Sequence, residues 1–211
     1  MPEYEDLPFT IRPDLSPYLV HLTRRNTKKT DGYSAFENLV SILQCGRIWG
    51  STAEGYIIGG NKATCFMDVP LHCLKYVFNK DNTNPEHPRY EPFGVLVHKK
   101  DAIAKNCRPV LYLSNNETER LHIPKKELWR VVRFEVTGDQ WISWIHEREW
   151  RCEGDFNLLP KPLAVLVKNT SFASDLAERI AEESPTFKAK PRSIIPLTVL
   201  CQGLTYLKGA R

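Results

Sequence analysis

The stretch HEREWRCEGDF, residues 146–156, sets two glutamates one residue apart among a histidine, two arginines and a tryptophan. Read as an extended chain, it alternates its side chains between faces. Glu147, Glu149 and Arg151 then project from one side, and Arg148, Trp150 and Cys152 from the other. That pattern has two meanings. Glu-x-Glu-x-Arg on a strand is most commonly a charge-neutralised surface patch of small energetic weight. The alternative is glycosidic chemistry, in which one carboxylate holds a ribose hydroxyl and stabilises an oxocarbenium-like centre while a second handles the incoming nucleophile. The local motif does not choose between them.

The bulk composition sets the bounds. The chain has 211 residues, 42% of them hydrophobic and 26% charged, which fits one globular domain over residues 1–211 with a sizeable core. Fifteen prolines against 11 glycines point to short elements and long loops rather than a helical bundle. The net charge of +4 permits an anionic partner without demanding one. No apolar stretch approaches the length of a membrane span. The acidic start MPEYEDLPFT lacks the basic-then-apolar order of a signal peptide. The cytoplasm is the expected compartment. The cysteines (Cys45, Cys65, Cys73, Cys107, Cys152 and Cys201) form no CxxC pair. Cys65 with His72 and Cys73 could begin a metal site, but no fourth ligand follows at a convincing spacing, so no metal is expected and buried free thiols are.

Hydrophobic rhythm gives the elements. PYLVHLTR (17–24) reads as a strand with His21 and Thr23 on one face. Ser34, with Glu37 three residues on, predicts a capping box for a helix over AFENLVSILQC, ended by Gly46. Phe36, Leu39, Val40, Leu43 and Ile48 fall near one face of that helix. The glycines of 49–62 match neither a P-loop nor a dinucleotide fingerprint. ATCFMDVP is a short strand ending at Pro70 and LHCLKYVF a short helix. FGVLVHKKDA is a strand leading into a turn or helix start, and PVLYLSN is another strand. PKKELWRVVRFEV begins like a helix and ends like a strand, whereas PLAVLVKN is the clearest buried strand. SFASDLAERIAEESP is an amphipathic helix capped by Ser171 or Ser174, with Phe172, Leu176, Ile180 and Ala181 together, and SIIPLTVL is a last strand. The class is α+β.

The order of these segments carries more than any one of them. LVHLTR, AFENLVSILQCGRIW, ATCFMDVPLH, YEPFGVLVHKKDA, RPVLYL and EREWR follow one another over about residues 18–156. In that order they resemble the AbiGi-like abortive-infection phage-resistance proteins. More distantly they are similar to the DNA-modifying ADP-ribosyltransferase toxins of the DarT kind. The resemblance implies an ADP-ribosyltransferase-like fold of split antiparallel sheets, with peripheral helices and a cleft wide enough for NAD.

The same resemblance implies roles. His21 would hydrogen-bond a ribose of NAD, with Thr23 beside it; a ring that donates at one nitrogen and accepts at the other suits that task. Phe66, Tyr90 and Phe93 are the alternatives for the aromatic face on which nicotinamide stacks; ordinary core packing explains each as well. Glu149 would be the catalytic glutamate on the nicotinamide ribose, and Glu147 would orient or deprotonate the acceptor. Arg151 would orient Glu149 or meet a phosphate, or else pair with Glu147. Arg24 and Arg47 are the candidates for the further arginine of DarT-type toxins. The family's tyrosine has no unique counterpart here.

The expected function is therefore transfer of ADP-ribose from NAD to a macromolecule, RNA or DNA before protein, in phage defence or toxin–antitoxin biology. Water as acceptor would give an NAD glycohydrolase. The competing expectation is a catalytically silent module of the same fold, an antitoxin or sensor that acts by binding. A cysteine hydrolase built on Cys65 or Cys73 lacks a local nucleophile signature. The basic stretches TRRNTKK (23–29), HKK (98–100) and PKK (124–126) are solvated loops, or phosphate contacts if they border the cleft.

Overall fold

The computed structural model describes residues 14–25, 32–52, 56–78, 82–83, 86, 88–138 and 140–201. Much of the basic stretch 23–29, and the segment 1–10, lie outside them. The described residues form an α+β structure around a seven-stranded, mostly antiparallel sheet.

The strands of that sheet are β1 (Tyr18–Leu22), β3 (Ala63–Met67), β4 (Gly94–His98), β5 (Arg108–Pro109), β10 (Glu149–Glu153), β12 (Ala164–Val167) and β13 (Ile194–Pro196). Their order is β13-β12-β4-β1-β3-β10-β5. β2 (Arg47–Ile48) pairs with β11 (Phe156–Asn157), β6 (Leu111–Leu113) with β7 (Val131–Arg133), and β8 (Glu135–Thr137) with β9 (Gln140–Ile142). The helices are α1 (Ala35–Cys45), α2 (Leu74–Val77), α3 (Lys99–Ala104), α4 (Asn115–Arg120), α5 (Thr170–Glu182) and α6 (Leu197–Leu200).

Each face of the sheet carries its own core. One face, with Leu19, Phe66, Val95, Val165 and Cys152, packs against α1 and α5 through Leu39, Leu43, Leu176 and Phe172. The other, with Val20, Leu96 and Leu166, packs against Leu74, Phe78 and Leu197. Residues 164–167 are buried without alternation because β12 lies between both cores, which is what a continuous apolar run encodes. Of the five apolar positions read for the first helix, Phe36, Leu39, Val40 and Leu43 are buried on it, and Ile48 is buried from β2, past the helix end. Gly46 ends that helix at φ 67°, a value that costs glycine little.

The sheet is divided at one seam. β1 and β4 share five register pairs, Tyr18↔His98 to Leu22↔Gly94. β1 and β3 are joined by one, Val20↔Met67. Beyond it a side chain interrupts the ladder: His21 Nδ1–H donates to the Cys65 carbonyl at 2.9 Å. A carbonyl only accepts, so Nδ1 carries the proton and Nε2 keeps the lone pair. The expected split sheet is thus present as a four-stranded and a three-stranded half touching at Val20 and Met67.

At Gly94 a Cβ would lie 2.4 Å from the His21 carbonyl oxygen and 3.1 Å from Leu22 Cδ2. Gly94→Ala should therefore push β4 off β1 and cost about 1–3 kcal/mol, read as a fall in the urea midpoint. An unchanged midpoint would mean that the two strands give way freely.

Four expectations need correction. The stretch 109–115 is not one strand: it switches partner at Val110, from β10 to β7, with the Val110 N–H donating to the Glu149 carbonyl (3.1 Å). The cap of α5 is Asn169, whose side chain accepts the Phe172 N–H at 3.2 Å, not Ser171 or Ser174. β12 ends at Val167, so the chain turns helical before either serine. The last apolar run is strand only to Pro196, which cannot donate to a ladder, and continues as α6. Lys99, read as part of a solvated loop, is buried at the start of α3 with its Nζ 2.8 Å from Asp68 Oδ2.

Candidate active site

The stretch 146–152 is not extended throughout. Ile145–Glu147 is a turn of 3-10 helix, Arg148 sits in the left-handed region at φ 47° and ψ 51°, and β10 begins at Glu149. Glu147 therefore does not share a strand face with Glu149 by alternation. It reaches the same side through the turn. Three contacts hold the left-handed residue: the Asp68 N–H donates to the Arg148 carbonyl (3.2 Å), the Arg148 guanidinium donates to the Asp14 carbonyl (2.8 Å), and it lies 3.8 Å from Asp68 Oδ2. Lys99 holds that same carboxylate from α3.

Glu149 and Arg151 point to one face, opposite Met67 and Cys65 of β3. Arg151 Nε donates to Glu149 Oε1 at 2.8 Å and Nη2 to Oε2 at 3.3 Å, a two-pronged pair. The Arg151 side chain is 4% exposed, and its Nη1 donates to the carbonyls of Trp129 (2.7 Å) and Val131 (3.2 Å). Of the three readings given for Arg151, pairing with Glu147 is corrected: the guanidinium pairs with Glu149. The Cys65 thiol also faces Glu149; burial first, and the carboxylate second, push its pKa far up. A thiol held protonated in that way is no thiolate nucleophile, which argues against a cysteine hydrolase at this position.

Glu147 has its own partners. The Tyr90 hydroxyl donates to Glu147 Oε1, and Arg89 Nη2 donates to the same oxygen at 3.2 Å. Burial and the Glu147 charge hold the Tyr90 phenol far above its ordinary pKa, so it stays a donor. Arg89 lies 3.7 Å from the Trp144 ring centroid, a cation stacked on an indole. Tyr112 completes the group: its oxygen accepts the Glu149 N–H (3.0 Å) and its hydroxyl donates to the Trp144 carbonyl (3.3 Å).

The structure thus brings together Glu147, Glu149, Arg151 and Tyr90. The other expected residues lie elsewhere. His21 shares the face of Leu19 and Val95, with its ring edge-on to Phe66 at 6.0 Å, so it lies across the sheet from Glu149. Burial lowers its pKa, which keeps the imidazole neutral. Phe66 packs edge-on against Phe156, and Phe93 packs against Phe36 and Phe172. Thr23 donates its hydroxyl to the Ala35 carbonyl at 2.7 Å, tying β1 to the start of α1. Arg24 is exposed, and Arg47 is 3.5 Å from Asp155, away from the glutamates.

Arg89, Trp144 and Tyr112 carry no sequence signal that marks them as site residues, and Cys65, weighed as a metal ligand or nucleophile, instead faces Glu149 as a protonated thiol. Tyr112 stands inside the RPVLYL segment that counted towards the family pattern, and nothing local marks its hydroxyl. Val20↔Met67 and the His21 bond join the two half-sheets at the seam. Two cavities among the described residues lie away from the glutamates. One, of about 20 Å³, lies beside Leu96, His98 and Phe156. The other is an open groove of about 560 Å³ between α4 and β8. No cluster of three or more metal-ligating side chains occurs among the described residues, and no helix there is long and apolar enough to cross a membrane.

No protein-family model matches the chain, and no curated protein matches it significantly. Among solved structures it is similar to DarT from Thermus sp. 2.9, in complex with NAD+ at 12% identity and a TM-score of 0.48. It is similar also to the complex of that protein with carba-NAD+, at 11% identity and a TM-score of 0.47. Each match covers 86% of this chain and 96% of the other.

Proposed function

We propose that this protein is an NAD-dependent ADP-ribosyltransferase that breaks the nicotinamide–ribose bond and passes ADP-ribose to a macromolecule. The observation that carries the reading is the pair of glutamates set on one side by the turn 144–149, beside the seam of a split sheet. The segment order that resembles AbiGi-like and DarT-like proteins supports it. In this reading NAD is the substrate. Glu149, aimed by Arg151, holds the ribose hydroxyl and lowers the energy of the oxocarbenium-like centre as nicotinamide departs with the bonding electron pair. Glu147 takes the proton of the incoming acceptor. Of the three aromatic candidates Tyr90 is the one bonded to a glutamate and offers the face for nicotinamide, while His21, on the opposite face of the sheet, serves as the tie between the half-sheets. The acceptor is nucleic acid before protein, and the setting is phage defence or toxin–antitoxin function, with a cognate toxin or antitoxin as partner.

One observation favours a second reading. Both oxygens of Glu149 are held by Arg151, and Glu147 is held by Tyr90 and Arg89. A fold that keeps its carboxylates so engaged would suit a binding module without turnover. The assay that decides is nicotinamide release from NAD by the purified protein, alone and with RNA, single-stranded DNA, duplex DNA or protein added. Release that depends on one acceptor class is expected. Absence of both release and NAD binding would leave the silent module.

A further inference from the structure

We propose that Tyr112 is a positioning residue for both glutamates: its hydroxyl receives the Glu149 N–H and donates to the Trp144 carbonyl, so one ring ties together the two ends of the turn 144–149. The proposal rests on the transferase reading above and adds a residue to its machinery.

The turn needs such a tie. Arg148 occupies a left-handed conformation at φ 47°, which a non-glycine side chain keeps only where its surroundings overdetermine it. On one side Asp68, itself held by Lys99, grips the Arg148 carbonyl and guanidinium. On the other, Tyr112 grips the residues that flank the carboxylates. Glu147 and Glu149 are thereby spaced by a clamped backbone rather than by strand alternation. β6 presents the ring from outside the main sheet, paired with β7. Two residues earlier the Val110 N–H donates to the Glu149 carbonyl, so the segment 110–112 holds Glu149 at both its N–H and its carbonyl. Burial raises the Tyr112 pKa, so the phenol keeps its proton and both hydrogen bonds persist through neutral pH. Glu147, Glu149 and Arg151 are the charged groups that face it.

Tyr112→Phe keeps the ring and deletes both bonds. In nicotinamide-release kinetics kcat should fall on the order of tenfold to a hundredfold, the scale of a small misplacement of reacting groups. KM for NAD should stay within about twofold, because the lost bonds touch the turn and not the dinucleotide. Hydrogen exchange of the amides between 145 and 149 should quicken while the rest of the chain is unchanged. Tyr33→Phe, at a 60% exposed tyrosine just before α1 and so on the other face of the sheet, should leave every value as in the wild type. Should Tyr112→Phe fail to fold, a fluorinated tyrosine at 112 keeps the shape and acidifies the phenol. Its kcat should then decline at lower pH than that of the wild type. An active wild type with unchanged kcat in Tyr112→Phe, or an unshifted pH profile in the fluorinated protein, overturns this proposal alone. A wild type that releases no nicotinamide under any condition overturns the transferase reading and this inference with it.

Discussion

Glu149→Gln is expected to reduce nicotinamide release by at least about 10²–10³-fold, the scale on which removal of one preorganised electrostatic contact acts in a transition state, about 3–4 kcal/mol. The change keeps size and shape and deletes the charge. Arg151 would keep its bonds to the Trp129 and Val131 carbonyls, and the turn would keep the Glu149 N–H bond to Tyr112. The fold should therefore survive, with a lowered circular dichroism melt because the buried Arg151 loses its counter-charge, and the loss of release should appear in kcat. Retained release in a folded Glu149→Gln protein would reduce the residue to a salt-bridge partner. Loss of folding would say the same by another route, since the carboxylate would then serve the structure first.

Arg151→Met should produce the largest loss of stability, about 3–5 kcal/mol, because it leaves a carboxylate uncompensated in a site where Glu149 is only 11% exposed. Two carbonyls, of Trp129 and Val131, lose their donor at the same time. Urea unfolding reads the effect as a lower midpoint at constant slope. Combining it with Glu149→Gln should return part of the loss, since no unpaired charge then remains, and the double-mutant cycle measures the coupling. A loss below about 1 kcal/mol for Arg151→Met alone would mean that the pair behaves like an exposed one.

The placement of the site residues shows where reading the sequence succeeds and where it stops. Period-3.6 spacing correctly named Phe36, Leu39, Val40 and Leu43 on the first helix, because burial and periodicity are local to one element, but it carried on to Ile48, which is buried from β2. The same logic misplaced Glu147. Alternation assumes that a chain stays extended, and Arg148 breaks it with a left-handed residue that no glycine or asparagine announces. Its stabilising partners, Asp14, Asp68 and Lys99, come from three other parts of the chain. His21 and Glu149 share a motif order but not a sheet face. The register that separates them, Val20↔Met67 and Met67↔Glu149, is a property of pairing between strands.

From its sequence alone the chain declared its class, most of its strands and principal helices, its continuous buried strand, and the segment holding its paired carboxylates. Hydrophobic period, caps and breakers act over a few residues and are written there directly. Only the tertiary structure decided that Arg151 is spent on Glu149 and that Tyr90 meets Glu147. It alone decided that Tyr112 spans the turn and that a histidine side chain closes the seam. Those are choices among polar groups competing for partners from distant segments. Burial decides them, because a charge or an amide removed from water must find its match wherever the fold has brought one.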